Sequence, residues 1–199
     1  MLIVVEGCVG AGKSTVAKGL AAYRKSETLF EDFGSNPFLP AFYDDPVTNA
    51  TETEFTFLML HFHQLKKQAE AILNTELITD FHIGKDLLYA NLNFKDLRTL
   101  RIFRELFDLV SEQIPKPALL ICLSASTELL IQRIRSRKRD FELKIDPGYY
   151  ADINSAYGDF FARYEGRKLR ISMNEWDFVA SPELYGKLSL LVDEQLKSE

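Results

Sequence analysis

Residues 7–15 read Gly-Cys-Val-Gly-Ala-Gly-Lys-Ser-Thr. Gly7, Gly12, Lys13 and Ser14 fall at the fixed positions of the pattern G-x-x-x-x-G-K-[ST], whose chemistry is phosphate binding. Glycines let the backbone approach phosphate oxygens, and successive N–H groups form an anion-binding nest. A helix opening near Lys13 adds its positive end. Gly7, Gly10, Ala11, Gly12, Lys13, Ser14 and Thr15 are therefore the candidate ATP-binding loop. Lys13 can bridge the β- and γ-phosphates, and the Ser14 hydroxyl can ligate Mg²⁺.

Four further groups could do chemistry around a bound phosphate. Glu31, in Phe30-Glu31-Asp32, can accept the proton of an attacking hydroxyl, or it is a solvated loop acid. The stretch Asn36-Pro37-Phe38-Leu39-Pro40-Ala41-Phe42-Tyr43-Asp44-Asp45-Pro46 can wall an acceptor pocket with Phe42 and Tyr43, whereas Phe38 and Leu39 read as loop packing. In Arg133-Ile134-Arg135-Ser136-Arg137-Lys138-Arg139, five of seven residues are cationic. Arg133 and Arg137 share a helix face, so the run is either a solvated surface or a lid whose arginines close over phosphoryl oxygens. Asp80 can hold Mg²⁺ through water, or cap a helix.

These residues need a frame. The phosphate loop demands a strand before it and a helix after it. Leu2–Val5 and the helical stretch Ser14–Arg24 supply both. Further strands are expected at Thr28–Glu31, Leu77–Thr79, Ala118–Leu123 and Lys168–Met173. Helices are expected at Glu54–Leu73 (Phe55, Leu58, Phe62, Leu65, Ala69 and Ile72 at helical spacing), Lys95–Gln113, from a Ser124 or Ser126 cap to Arg137, at Tyr149–Tyr164, and after Ser181-Pro182-Glu183. Strands alternating with helices predict an α/β fold with a parallel five-stranded sheet, and ligands at its carboxyl edge. That edge brings Glu31, Asp80 and the phosphate loop together.

The chain of 199 residues is 46% hydrophobic and 27% charged, with a net charge of -5. That is room for one α/β domain over residues 1–199, and no chain-wide basic character points to nucleic acid. Two cysteines, Cys8 and Cys122, make no disulfide framework and read as small apolar filler. The sequence predicts no secretory signal and no membrane span, and its cysteine usage suits a reducing cytoplasm.

Taken together, these segments resemble the deoxynucleoside kinase family over essentially the whole chain. The resemblance rests on Gly7–Thr15, on Glu31…Asn36-Pro37-Phe38-Leu39…Phe42-Tyr43, on Arg133…Arg137-Lys138-Arg139-Asp140-Phe141-Glu142, and on Asp177-Phe178. It implies a P-loop kinase fold with an arginine-rich lid at about 133–145. It implies phosphorylation of a deoxynucleoside 5′-hydroxyl by ATP with Mg²⁺, in nucleotide salvage. Glu31, Lys13, Arg133 and Arg137 become the catalytic set. Arg137, Arg139, Asp177 and Phe178 join the loop in holding ATP, the last two beside adenine. Glu31, Phe42, Tyr43, Glu54, Phe57, Asp80, Lys85 and Glu142 become the substrate set, with Tyr43 and Glu142 on the sugar 3′-hydroxyl and Tyr43 disfavouring ribose. Ser14 and Asp80 are the metal candidates. A homodimer built on the helices at Glu54–Leu73 and Lys95–Gln113 is implied.

Two departures stand out. Where the family carries an arginine after the strand-three acid, this chain has Asp80-Phe81-His82; Lys85 and His61 are the candidate replacements, although lysine lacks a bidentate guanidinium. Where the family carries a base-reading glutamine, this chain has Glu54. An ionised glutamate only accepts hydrogen bonds. It suits the N1–H and amino group of guanine, and a mismatch costs about 1–3 kcal/mol. A purine preference with deoxyguanosine ahead follows, unless Glu54 only starts its helix as a dipole-complementing acid. The alternative activities are a nucleoside monophosphate kinase of the thymidylate kinase type and a non-catalytic nucleotide-binding module.

Overall fold

The computed structural model describes residues 1–137, 139 and 146–197. Five parallel strands, β1 (Leu2–Gly7), β2 (Glu27–Leu29), β3 (Leu77–Thr79), β4 (Leu119–Ser124) and β5 (Lys168–Ser172), lie in the order β2-β3-β1-β4-β5. β1 is central and wholly buried, with Ile3 opposite Leu119 and Leu2 opposite Leu77. Such two-sided burial explains why it reads as an unbroken apolar run. Glu6 is its one charged residue.

The first helix, α1 (Lys13–Arg24), leaves the phosphate loop and packs with the last, α9 (Leu184–Lys197). Gly7 is required by close approach: a Cβ there would lie 2.6 Å from the Leu123 carbonyl oxygen. Gly12 caps α1 at φ 94°, in the left-handed region open to glycine. The helices α3 (Pro46–Lys67), α5 (Gly84–Asn93), α6 (Leu97–Ser111) and α8 (Pro147–Arg163) pack on one another. The short α2 (Leu39–Asp44) lies against α3, and α7 (Thr127–Ser136) against α8.

Several boundaries differ from expectation. The helix expected to open at Glu54 opens eight residues earlier, because Asp45 accepts hydrogen bonds from the Val47 and Thr48 amides and Pro46 takes the first helical position. It ends at Lys67, and the short α4 (Ala69–Asn74) carries on the apolar periodicity. Two helices were not expected, α2 and α5. Phe38, expected to pack, is exposed. Ser126, rather than Ser124, caps α7 by accepting from the Leu129 amide. Ser181-Pro182-Glu183 forms a turn ahead of α9 rather than its first turn. Both cysteines are buried among the core, and burial pushes each thiol up to about 12. Among the described residues no helix is long and apolar enough to cross a membrane.

Candidate active site

One cavity of about 580 Å³ opens at the carboxyl edge of the sheet. Gly10, Gly12, Lys13, Ser14 and Thr15 line one end of it; Phe42, Tyr43, Glu54 and Phe57 line the other; Glu31, Asp80, Lys85, Arg137 and Arg139 are also in its wall. Gly7 and Ala11 stand behind the loop rather than in the wall, Gly7 as the last residue of β1 and Ala11 buried. Lys13 Nζ donates to the Gly7 carbonyl at 2.8 Å. Arg133 lies outside the wall and donates from Nη1 to the Ala11 carbonyl at 3.4 Å, so it braces the loop from α7. The Arg139 guanidinium stacks over the Phe33 ring at 4.8 Å.

Glu31 lies two residues past the end of β2, and its side chain is only 15% exposed, which removes the reading of a solvated loop acid. Its amide donates to Asp80 Oδ1 at 2.8 Å, and the Ser14 hydroxyl donates to Asp80 Oδ2. Asp80 thus ties the phosphate loop to the candidate base. It caps no helix, since α5 begins only at Gly84. Lys85 Nζ sits 2.6 Å from Glu31 Oε2, and His61 Nε2 sits 3.3 Å from Oε1. That second approach is off the axis of a hydrogen bond, and His61 Nε2 is a buried nitrogen without one. On its other side His61 Nδ1 meets the Asp86 carboxylate at 2.8 and 2.9 Å.

The charges follow from this geometry. Burial alone would raise the Glu31 carboxyl, but the Lys85 ammonium, then His61, hold it well below the usual carboxylate range. Burial would likewise lower His61, yet Asp86 first and Glu31 second push it up to about 9, so the ring is an imidazolium at neutral pH. Lys85 is also raised against burial by Glu31, Glu6 and Asp86. The position that carries an arginine in the resembling family holds Phe81, fully buried and stacked on His61 at 4.8 Å, with Phe57 on the other face of the ring at 5.5 Å. Two cations, Lys85 and His61, therefore stand at Glu31 where one guanidinium was missing.

Glu54 does not start a helix. It lies in the third turn of α3, buried, and accepts from Asn93 Nδ2 at 2.7 Å. Burial raises its carboxyl to about 8, so the expectation of an ionised, acceptor-only side chain does not hold at pH 7. Asp177 and Phe178 do not line the cavity. Phe178 is buried between Trp176 and Tyr185, at ring separations of 5.5 and 4.9 Å, and Asp177 caps a turn by accepting from the Val179 and Ala180 amides. Glu142, with Lys138 and residues 140–145 of the expected lid, lies outside the described residues.

Sequence reasoning passed over Glu6, Asp86, Asn93 and Tyr149. Glu6 is buried and accepts from the Gly7 amide (2.9 Å), the His82 amide (2.7 Å) and the Tyr157 hydroxyl (3.1 Å), which locks the loop to the turn after β3. A lone acid in an apolar strand was its signal. Asn36 is likewise buried, donating to the Thr53 carbonyl at 3.0 Å and accepting from the Phe38 amide at 3.1 Å, which fastens the Asn36-Pro37 loop to α3.

A strand–loop–helix phosphate cradle facing a buried acid defines a P-loop phosphotransferase. A sequence profile described as "Deoxynucleoside kinase" matches residues 3–197. The chain belongs to the deoxynucleoside kinase family. It is 29% identical to a deoxyadenosine kinase of Lactobacillus acidophilus, over 98% of this chain and 96% of that one. It is 31% identical to a deoxyguanosine kinase of Bacillus subtilis, over 78% of this chain and 75% of that one. Among solved structures, a deoxyadenosine kinase from M. mycoides with bound dCTP superposes with a TM-score of 0.81 at 25% identity, covering 96% of this chain and 100% of that one.

Proposed function

We propose that this kinase moves the γ-phosphoryl group of ATP·Mg²⁺ to the 5′-hydroxyl of a purine deoxynucleoside in nucleotide salvage, with Glu31 as the group that accepts the hydroxyl proton. The observation that carries this reading is the single cavity that runs from Gly12–Thr15 past Glu31 to Tyr43 and Glu54. It has a phosphate cradle at one end, a sugar- and base-sized space at the other, and an acid in its wall. Relatives named for deoxyadenosine and for deoxyguanosine support a purine and do not choose between the two.

Phosphoryl transfer asks little covalent chemistry of the protein; positioning and charge neutralisation dominate. Lys13 and the lid arginines Arg137 and Arg139 draw in the phosphate oxygens. A loose transition state also explains why so acidic a carboxyl serves at Glu31: it orients the hydroxyl and takes its proton late, so it need not titrate near neutrality. Tyr43, beside Phe42, stands against the sugar. Ser14 and Asp80 offer a hydroxyl and one carboxylate, hard oxygen donors of the kind Mg²⁺ takes together with phosphates and water. When bound, the ion neutralises phosphate charge. The exposed apolar Met59 on α3 and Ile102 and Leu109 on α6 support the homodimer.

An arginine missing after Asp80 would favour a non-catalytic module; the Lys85 and His61 cations at Glu31 support a catalyst instead. The test is ADP release with ATP·Mg²⁺ across deoxynucleosides, ribonucleosides and their monophosphates. Deoxyadenosine or deoxyguanosine should give the fastest release. Faster release with a monophosphate would replace this reading by the thymidylate kinase type, and release independent of any acceptor would replace it by the binding module.

A further inference from the structure

Glu54 is 4% exposed and still lines the cavity. Its Oε1 accepts from Asn93 Nδ2, and Asn93 Oδ1 in turn accepts from the Tyr149 hydroxyl at 2.9 Å. Oε2 has no hydrogen-bond partner among the described residues. The cations on neighbouring elements are engaged elsewhere: Lys85 of α5 on Glu31, and His61 of α3 between Asp86 and Glu31. The other titratable groups packed around it are the Asp86 carboxylate of α5, which opposes a second negative charge, and the Tyr149 phenol of α8, kept neutral by burial. A buried carboxyl with an amide donor and no paired cation keeps its proton.

The geometry points to Glu54 as a two-state reader of the purine edge: as a neutral acid it takes adenine or guanine, and as a carboxylate it takes guanine alone. This rests on the reading above that the base lies beside Glu54. A neutral carboxyl carries one donor and one acceptor, as a glutamine amide does. Its O–H can donate to adenine N1 while its C=O accepts from the adenine amino group, or donate to guanine O6 while the C=O accepts from N1–H. A carboxylate has two acceptors. It suits guanine N1–H and the 2-amino group, but places an oxygen lone pair against adenine N1. The deoxyguanosine preference expected from an ionised glutamate is thus the high-pH half of the behaviour.

The switch falls in a measurable range. Burial raises the carboxyl to about 8, with Asn93, Lys85 and His61 opposing and Asp86 adding to the rise. The experiment measures kcat/KM for deoxyadenosine and deoxyguanosine with ATP·Mg²⁺ between pH 6.5 and 9. In the wild type the deoxyadenosine-to-deoxyguanosine ratio should fall about tenfold between pH 7 and 9. In Glu54→Gln, always donor and acceptor, the ratio should stay level. Titration of the guanine ring and of His61 is common to both proteins and drops out of the comparison. Asn93→Ala removes the amide that favours the carboxylate, so the fall should move to higher pH. A level wild-type ratio, or an equal slope in Glu54→Gln, overturns the inference while leaving the kinase reading intact. Turnover of neither nucleoside overturns both.

Discussion

Ionic networks occupy the two ends of α1, and they are built differently. At the far end, Arg24 grips Glu76 with Nε and Nη2, both at 2.7 Å, and Asp193 and the Ser189 hydroxyl with Nη1, both at 2.8 Å. Ser26 adds its hydroxyl to Glu76. Every arm of the guanidinium is used, and the result ties α1, the start of β3 and α9 together. At the near end, Ser14 meets Asp80, Asp80 holds the Glu31 backbone, and Lys85 and His61 crowd the Glu31 carboxylate. There the fit is deliberately incomplete in its geometry: His61 Nε2 is buried beside an oxygen it does not properly bond. A saturated network fixes elements. One whose Glu31 and Lys85 members line the cavity is open to a ligand on one side.

The sharpest way to break this contrast is to remove one charge at the near end. Glu31→Gln should lower kcat by roughly 10²–10⁴-fold with ATP affinity largely kept. Steady-state kinetics alongside direct ATP titration separate the two. A rate within a few-fold of wild type would take Glu31 out of the proton-accepting role.

Lys85→Met comes next. The ammonium at 2.6 Å both neutralises Glu31 and holds its carboxyl down. Hydrogen bonds to charged groups are worth about 1.5–3 kcal/mol, so turnover should fall roughly 10–100-fold. The more telling readout is the pH profile. The acid limb of kcat/KM should move toward neutrality in Lys85→Met, because burial then raises Glu31 with only the His61 cation close by to oppose it. An unmoved limb would mean that Lys85 does not tune the acid.

The near end was partly legible in the sequence and partly hidden, for a physical reason. The phosphate loop announces itself because close backbone approach demands glycine at fixed spacing. The strands around it show as apolar runs because both faces are buried. The helix α5 stayed hidden because its inward positions include Lys85, Asp86 and Asn93, all buried. A helix whose core-facing side carries the chemistry loses the apolar period by which helices are found. Glu54 lines the cavity, but the rise of its carboxyl could not be read from the sequence, since burial is a tertiary property. The early start of α3 is a different failure: Asp45-Pro46 reads in sequence as the end of the pocket-wall stretch, whereas it caps and opens the helix. Phe178 fell to the core because the Trp176 and Tyr185 rings are its packing partners.

Arg24→Met tests the far end. The pair with Glu76 is mostly buried and that with Asp193 is half-exposed, so the loss should lie between surface and buried limits, on the order of 2 kcal/mol. In a domain of this size that is about 4–8 °C in Tm. Turnover at 25 °C should be unchanged, the opposite of Glu31→Gln. Burial alone would raise Glu76, but Arg24 and Ser26 hold its carboxyl below the ordinary value. A lowered carboxylate stabilises above its unfolded pKa, about 4.3, and that contribution is lost as pH falls through the folded one. Thermal melts from pH 7 downward should therefore converge between variant and wild type. A constant gap would assign Arg24 a packing role instead.

A wild-type pH series separates the networks in the other direction. His61 is raised to about 9 by Asp86 and Glu31 against the opposing pull of burial, from about 6.5 when unfolded. A raised base stabilises fully below its unfolded value and loses that contribution as pH climbs through the folded one. Wild-type stability should fall between pH 6.5 and 9, by on the order of 3 kcal/mol, read from urea midpoints. Glu54, also raised, adds a decline of the same sign that ends near pH 8. His61→Gln should reduce the slope above pH 7 without abolishing it. Arg24→Met should leave that slope untouched, because a guanidinium does not titrate there. Equal slopes in wild type and His61→Gln would mean that the imidazole is held neutral, and that Lys85 alone balances Glu31.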